Sequence, residues 1–288
     1  MPRLVRSALV LLTLSLFLPL TGQTPSVVRP FPGFPDCPTT ARAGEYVLTP
    51  SYKWLQDAVQ KGADKVTFIF YTSRMVEPGA TDSRLESFGK ITLVPNALIV
   101  PLAAGGRAKK VDILLSWWQT GSGMQRCYVV NADNPAQPEV VYLDIDWTNP
   151  ARGRDGKPLA QSVNRLKPDS FVQLEQVFSR GTTIAVLDAT GYSPRWRKWQ
   201  VITAAGGKVL ALGFAGRMAV FEQSACRPVP LRPDVKPGDS VHVPYVGSFV
   251  PAIVKRVDRD YGRVVCDITW GGQAKEVHAA FGDVARTL

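Results

Sequence analysis

Two aspartates, Asp144 and Asp146, stand one residue apart in the segment 140–147. Alternate side chains of a β-strand point to the same face, so both carboxylates would share one face. Such a pair can hold a cation, or it can serve a hydrolase as acid and base. Two solvated acids on an outer face fit the same spacing. A related segment has Asp267 and Thr269 at the matching positions, which favours solvated acids over a required pair.

The segment 195–199 interleaves cations with aromatic rings, as Arg195, Trp196, Arg197, Lys198 and Trp199. Charge attraction and flat stacking surfaces suit an anionic or ring-containing partner, such as an acidic glycan, a phospholipid headgroup or a nucleic acid. Trp196 and Trp199 are three residues apart and cannot share a strand face. We therefore expect one of them in a loop, at a strand end or on the surface. A strand with Trp inside and cations outside is the alternative.

A second aromatic pair, Trp117 and Trp118, is adjacent in sequence. Neighbouring strand residues point to opposite faces, so the pair predicts one exposed Trp. Both residues are therefore further candidates for ligand contact.

Other residue patterns argue against catalysis. The two histidines, His242 and His278, have no third metal ligand at a recognised spacing, and His242 is predicted to be a solvated surface residue. Gly121-Ser122-Gly123 lacks the Gly-x-Ser-x-Gly spacing of a nucleophile elbow and reads as a flexible loop. We predict no catalytic residue, no metal ligand and no cofactor.

Short Val- and Ile-rich clusters that alternate with polar residues, between frequent Gly and Pro, predict a mainly β chain. One helix is expected to begin at the N-cap Thr49 and to end at Gly62. A strand is then expected over residues 65–71.

The second half of the chain repeats itself. Segments 140–147 and 263–270 are identical at four of eight positions, and a fainter copy begins at Ser179. Alternation places Val264, Cys266, Ile268 and Trp270 on the core face of the last copy and puts Val265, Asp267 and Thr269 outside.

The closing module opens with Lys236-Pro237-Gly238-Asp239 and has Gly262-Arg263 before its third strand and Trp270-Gly271-Gly272 after it. It resembles the Tudor and Agenet group of SH3-like β-barrels. The resemblance implies an aromatic cage for a methylated side chain, with Tyr245, Phe249 and Trp270 on the matching strands. The core-facing register of Trp270 puts a complete cage in doubt, and an exported chain would not meet a histone.

Residues 1–22 have the layout of a secretory signal. Arg3 and Arg6 precede an uncharged apolar run over residues 8–20, and small and polar residues follow. The run is shorter than the roughly 20 residues of a membrane-spanning helix. We expect a periplasmic or extracellular protein, with an uncleaved anchor as the alternative.

Export would permit disulfides among the four cysteines. Cys37 and Cys226 lie in Pro-rich stretches, and we predict a bridge between them. Cys127 and Cys266 lie inside apolar strand patterns and are expected as buried thiols. Sequence does not fix the connectivity, so four free thiols stay open.

These patterns predict tandem SH3-like, Tudor-like barrels with a small α/β N-terminal part. The predicted order is a signal peptide (1–22), a Pro-rich linker (23–43), a small α+β segment (44–108) and three barrels (109–178, 179–226 and 232–288). The net charge of +10 is concentrated in residues 151–230, which hold 12 basic and 5 acidic residues.

We therefore predict an exported, non-catalytic binding or scaffold protein. Positive regional charge favours acidic glycans, cell-wall polymers or anionic lipid surfaces as partners. The link to envelope material is an analogy with bacterial SH3-like modules that bind wall polymers. The alternative is an envelope hydrolase, or another enzyme, that uses Asp144 and Asp146.

Overall fold

The computed structural model describes residues 27–119, 123–190 and 193–288. Antiparallel strands dominate it, and the prediction of a mainly β chain is confirmed. The predicted signal peptide and loop residues Gly121 and Ser122 lie outside the described residues. Within these three ranges, no helix combines the length and the apolar character that a membrane crossing requires.

Module 1 is a five-stranded sheet in the order β4-β3-β2-β1-β5. Its strands are β1 (Tyr46–Pro50), β2 (Phe70–Glu77), β3 (Asp82–Ser87), β4 (Lys90–Pro95) and β5 (Val100–Pro101). Helix α1 (Tyr52–Lys61) connects β1 to β2. The predicted start of the helix was wrong, because Thr49 and Pro50 pair with β2 and close the first strand. The predicted strand also began too early, since Ala63–Lys65 form a 3₁₀ turn.

Module 2 is a second five-stranded sheet, in the order β10-β6-β7-β8-β9. Its strands are β6 (Ile113–Trp117), β7 (Met124–Asn131), β8 (Glu139–Tyr142), β9 (Asn164–Arg165) and β10 (Val172–Gln173). The fifth strand again pairs with the first, as it does in module 1.

Modules 3 and 4 share a nine-stranded sheet. Module 3 comprises β11 (Thr183–Asp188), β12 (Arg195–Ala205), β13 (Lys208–Gly213), β14 (Met218–Glu222) and β15 (Cys226–Pro228). Module 4 comprises β16 (Ser240–Tyr245), β17 (Ser248–Asp258), β18 (Arg263–Trp270) and β19 (Gln273–Ala280). A bridge from Ala285 to His242 takes the place of a fifth strand in module 4. One pairing, Arg197 with Ser248, joins the two modules.

Each module opens with the same turn. The residues that close the turn are Glu45, Asp112, Thr182 and Asp239, and each accepts a backbone hydrogen bond from the second strand of its own module, at 2.9–3.0 Å. A β-bulge follows in every second strand. This shared geometry makes the fainter copy at Ser179 equivalent to the outer two, and it adds module 1 as a fourth copy. The exact domain limits given above stay predictions.

The modules pack together around one apolar cluster. It includes Leu48, Leu115, Leu210 and Ile268, which come from modules 1, 2, 3 and 4 in turn. Strand β18 is buried at Val264, Cys266 and Ile268 and exposed at Asp267 and Thr269, as alternation predicts. Val265 is buried as well, against the prediction. The outer face of β18 therefore has cover at this position.

The described part of the predicted Pro-rich linker is a packed strap. Phe34, Cys37 and Ala41 belong to the main core, and the ring of Phe31 lies 5.8 Å from that of Phe68. Arg29 forms an ion pair with Asp82 of module 1 at 2.7 Å. Residues 27–43 therefore do not form a free linker, because their aromatic and apolar side chains are buried against modules 1 and 3.

The cysteines are four buried free thiols, which corrects the predicted bridge. Cys37 packs in the main core, whereas Cys226 packs in a separate cluster of module 3 beneath the Glu222 carbonyl. Burial raises the pKa of each thiol, and it raises that of Cys266 to about 12.

We expect the native protein to react slowly with an alkylating reagent, since the thiolate is the reactive form and all four thiols are buried. Unfolding without reductant should expose all four thiols at once. Mass spectrometry of the alkylated chain measures both states. Recovery of a linked Cys37–Cys226 peptide under non-reducing conditions would contradict the structure.

Candidate functional site

A cleft of about 910 Å³ opens where modules 2, 3 and 4 meet. Module 2 contributes the segment after β8, module 3 contributes β12 and the end of β13, and module 4 contributes the β16–β17 turn and β19. The charged and aromatic side chains of the lining, with the apolar Val246, include Asp144, Asp146, Trp147, Lys198, Phe214, Tyr245, Val246, Arg263, Lys275, His278 and Asp283. No module forms this cleft alone.

Beneath the cleft lies a buried ion network of Arg126, Asp144, Thr183, Lys198 and Asp283. Arg126 is fully buried, and its Nη2 lies 2.5 Å from Asp144 Oδ1 and 2.8 Å from Asp283 Oδ2. Lys198 Nζ lies 2.6 Å from Asp283 Oδ2, and Thr183 donates its hydroxyl to Asp283 Oδ1 at 2.7 Å. The network therefore ties together modules 2, 3 and 4.

Both carboxylates of the network stay ionised at neutral pH. Burial would raise the pKa of Asp144 and Asp283, but Arg126 and Lys198 outweigh it, and both pKa values end below the ordinary value. Burial likewise opposes the charge of Arg126, yet the two carboxylates raise its pKa. Charge pairing of this kind compensates the large cost of taking ions out of water.

Glycine is required where module 4 approaches Arg126. Gly282 has a φ of 84°, and a Cβ at this position would lie 2.9 Å from Arg126 Nη1. Any side chain here would crowd the guanidinium, so Gly282 allows Asp283 to reach the network.

Arg263 is a second buried guanidinium beside the network, and it makes no ion pair with any described residue. Its Nη groups donate to the carbonyls of His278, Tyr142 and Ile145 at 3.1–3.3 Å. Its Nε has no hydrogen-bond partner in the described part of the chain. Burial lowers the pKa of Arg263 to about 10, so the group is still a cation at neutral pH.

Trp147 and His278 form an aromatic shelf on one wall of the cleft. Their rings are parallel within 9°, with centroids 4.5 Å apart, and Tyr261 packs edge-on against Trp147 at 5.7 Å. The Arg263 guanidinium lies 5.5 Å from the centre of the Trp147 ring. A flat ring system and an unpaired cation are thus neighbours.

The cleft also has an apolar rim of Phe214 and Val246, which are 63% and 56% exposed. Val246 has a φ of 47°, a left-handed conformation that a β-branched residue rarely adopts. Val246 and Gly247 form the two-residue turn between β16 and β17, which requires a positive φ at both positions. Phe214 packs against the next residue, Gly247, whose added Cβ would lie 2.6 Å from Phe214 Cβ.

The two aspartates singled out in the sequence both line the cleft but differ in surroundings. Asp144 is paired with Arg126, which also donates its backbone N–H to it, so the acid is a half-buried ion-pair partner rather than a freely solvated group. Asp146 is exposed and accepts hydrogen bonds from the backbone and hydroxyl of Thr148 at 2.8 Å. No group of three His, Cys, Asp or Glu side chains suited to a metal occurs within the ranges the structure describes.

The basic segment 195–199 does not form one surface. Trp196 packs in a cluster with Phe249, and Trp199 packs on Phe221 at 4.8 Å on the other strand face. Arg197 pairs with Asp188 at 3.2 Å, while Arg195 is exposed. Lys198 alone of the five lines the cleft.

The other aromatic candidates are also dispersed. Trp117 is buried against Tyr46, and Trp118 is half-buried in module 2, so the predicted exposed Trp is not found. The two side chains pack in different core clusters, and both are covered by other residues.

The aromatic cage that the family resemblance implies is incomplete. Tyr245 and Trp270 meet edge-on at 5.1 Å, and Lys275 donates to the Tyr245 hydroxyl at 3.3 Å. Phe249 instead is buried in the cluster with Trp196 and does not join them. Tyr245 alone of the three lines the cleft.

Sequence reasoning missed Arg263, His278 and Asp283 as cleft residues, and it missed Arg126 as the centre of the ion network beneath them. The sequence did contain a signal for Arg126, which directly precedes the apolar strand run 127–129. A cation buried beside such a run needs carboxylate partners that are buried as well. Arg263 precedes a similar apolar run, 264–266, whereas Asp283 gave no such signal, because its partners Arg126, Thr183 and Lys198 come from other modules.

No protein-family model matches the chain, and no curated protein matches it. Solved structures similar to it include AGD34 of Arabidopsis thaliana AGDP1, at 18% identity and a TM-score of 0.23, over 38% of this chain and 81% of that one. Another is the tandem Agenet domain 3-4 of ADCP1, at 18% identity and a TM-score of 0.21, over 38% and 79%. These matches concern the fold, and function is argued from the cleft.

Proposed function

We propose that this chain is a non-catalytic binding protein whose ligand occupies the cleft between modules 2, 3 and 4. The observation that carries the proposal is the combination of the aromatic shelf, the apolar rim and the charged floor in one concave site. Concave sites with aromatic walls and few polar groups are typical of ligand binding. The cleft is lined by residues of three modules, so it forms only when the modules are packed together.

Binding suits the carboxylates of the cleft better than catalysis does. A general acid needs a carboxyl whose pKa is raised towards neutral pH. The pKa of Asp144 is instead lowered by Arg126 and Lys198, once they outweigh the opposing effect of burial. Asp144 and Asp283 hold their cations and the three modules in place.

We further propose that the protein works outside the cytoplasm and contacts envelope, cell-wall or other polyanionic material. The apolar run over residues 8–20 and the excess of basic residues over residues 151–230 support this proposal. Acidic glycans and wall polymers combine negative charge with ring systems, and both match the chemistry of the cleft.

Phe214→Ser tests whether the cleft is the binding surface. We expect it to weaken binding to isolated envelope fractions by about fivefold or more, because aromatic anchors dominate binding free energy. Co-sedimentation over a range of protein concentrations measures the affinity.

Phe88→Ser is the matched control. Phe88 is 75% exposed at a hairpin tip of module 1 and has a φ of 52°, so it shares the exposure of Phe214 but not the cleft. It should bind like the unchanged protein. Equal affinities for all three proteins would remove the cleft from the function.

A further inference from the structure

Arg263 differs from the other cations beneath the cleft because it has no ion-pair partner among the described residues. Three cations, Arg126, Lys198 and Arg263, face two buried carboxylates, Asp144 and Asp283. Arg126 and Lys198 each have a carboxylate partner at 2.8 Å or less, and Arg263 has none in the described ranges. Asp144, Asp283 and Asp146 lie close enough to favour the charge of Arg263, but none of them forms an ion pair with it.

An unpaired buried cation is costly. Its desolvation is compensated only by a counter-charge and by hydrogen bonds to every donor. Arg263 has three carbonyl acceptors but no anion, and its Nε is unpartnered. Since Arg263 lines the cleft, an anion that enters the cleft would supply what the protein does not.

We propose that the cleft binds an anionic group carried on a six-membered ring, with Arg263 as the counter-ion and the aromatic shelf as the stacking surface for the ring. The proposal rests on the proposed function and names its ligand chemistry. Arg263 and Trp147 are in contact distance of each other, at 5.5 Å between guanidinium carbon and ring centre, so one small ligand reaches both. Lys198, a quarter exposed, provides a second cation on the floor.

The ring and the charge of the ligand would contact different groups of the cleft. Trp147 and His278 stack on each other and Trp147 is half-buried, so a ring in the cleft would contact the part of the Trp147 ring that stays exposed. Charge-assisted hydrogen bonds from a guanidinium to a carboxylate or phosphate are about twice as strong as neutral ones. The exposed carboxylate of Asp146 lies on the same side and opposes an anion.

Four probes separate these contributions in the full chain: glucuronate, glucose, acetate and benzoate. Glucuronate carries charge and ring, glucose only the ring, and acetate only the charge. We expect glucuronate to bind about tenfold or more tightly than glucose or acetate, because each lacks one of the two contacts. Benzoate distinguishes an aromatic acid from an acidic sugar as the source of the anion.

The histidines report on the site directly, since the chain has only His242 and His278. Burial lowers the pKa of His278, Arg256 and Arg263 add to the decrease, and Glu276 opposes it. An anion at Arg263 should raise the pKa of His278, and the NMR signal of His242, which does not line the cleft, serves as the reference. Titration of the imidazole signals by NMR, with and without glucuronate, measures both.

Three variants make the test decisive. Arg263→Met should weaken glucuronate binding about tenfold or more and abolish the response of His278. Arg263→Lys keeps the charge and should retain part of both. Asp146→Asn, an exposed change, should tighten binding about twofold, because it removes a repelling charge with little effect on folding.

The proposal is overturned if glucuronate and glucose bind equally, or if saturating glucuronate leaves His278 unmoved in the folded unchanged protein. Tightened binding in Asp146→Asn supports it even where Arg263→Met does not fold. Envelope binding that depends on Phe214 but not on Arg263 would keep the proposed function and remove this inference alone. Envelope binding that depends on neither Phe214 nor Arg263 would contradict both the proposed function and this inference.

Discussion

Replacing Arg126 by Met should lower the free energy of unfolding by about 3–5 kcal/mol, the range for breaking a buried ion pair from one side. The side chain is fully buried and contacts Asp144 at 2.5 Å and Asp283 at 2.8 Å. Without Arg126, Lys198 would be the remaining cation of the network for two ionised carboxylates, Asp144 and Asp283. Urea unfolding followed by circular dichroism measures the change.

Arg256→Met is the matched control for this prediction. Arg256 also pairs with a carboxylate, Asp258 at 3.1 Å, but its side chain is 56% exposed. Exposed pairs contribute about 0–1 kcal/mol, so the control should unfold close to the unchanged protein. Two variants of equal stability would mean that the Arg126 network contributes nothing beyond a surface pair.

Acid should act on the same network. The pKa values of Asp144 and Asp283 are lowered in the folded state, so their contribution is fully present above the unfolded value of about 3.9. Stability is lost as the pH falls through the lower folded values, because the unfolded state then binds more protons. The Arg126→Met variant should show a weaker loss below about pH 4, since its carboxylates have lost their main partner.

The repeat could be read from sequence only where its spacing is intact. Segments 140–147 and 263–270 align because each contains the third strand of its module, most of β8 in the first segment and all of β18 in the second. Module 1 has the same strand order, but α1 separates β1 from β2 and breaks the spacing. Its opening turn, closed by Glu45, shares geometry with the others rather than residue type.

The cleft was harder to predict because it lies between modules. Asp144 and Asp267 align in the repeat and were expected to be equally solvated. Asp144 is instead held by Arg126 of a neighbouring strand and lies near Lys198 of module 3, while Asp267 is 50% exposed. Alternation along a strand predicts which face a side chain points to, but not what another module places against that face.

Strand β18 allows a sharp test of the register that alternation predicted. Ile268 is 2% exposed in the main core, and Ile268→Ala should lower the free energy of unfolding by about 2–5 kcal/mol. Ile268→Ala leaves a cavity in the apolar cluster that the modules share. The neighbouring side chains can fill this cavity only in part. Urea unfolding again gives the magnitude.

Two further isoleucines complete this test. Ile253 lies on the adjacent strand β17 and is 48% exposed, so Ile253→Ala should cost less than about 1 kcal/mol. Ile145 aligns with Ile268 in the repeat, but it is 8% exposed and lines the cleft. Water can enter beside it, so Ile145→Ala should fall towards the lower end of the 2–5 kcal/mol range, about 2 kcal/mol. A cost for Ile268→Ala as small as that expected for Ile253→Ala would mean that the predicted register of β18 is wrong. The core of module 4 would then lie on the other face of its sheet.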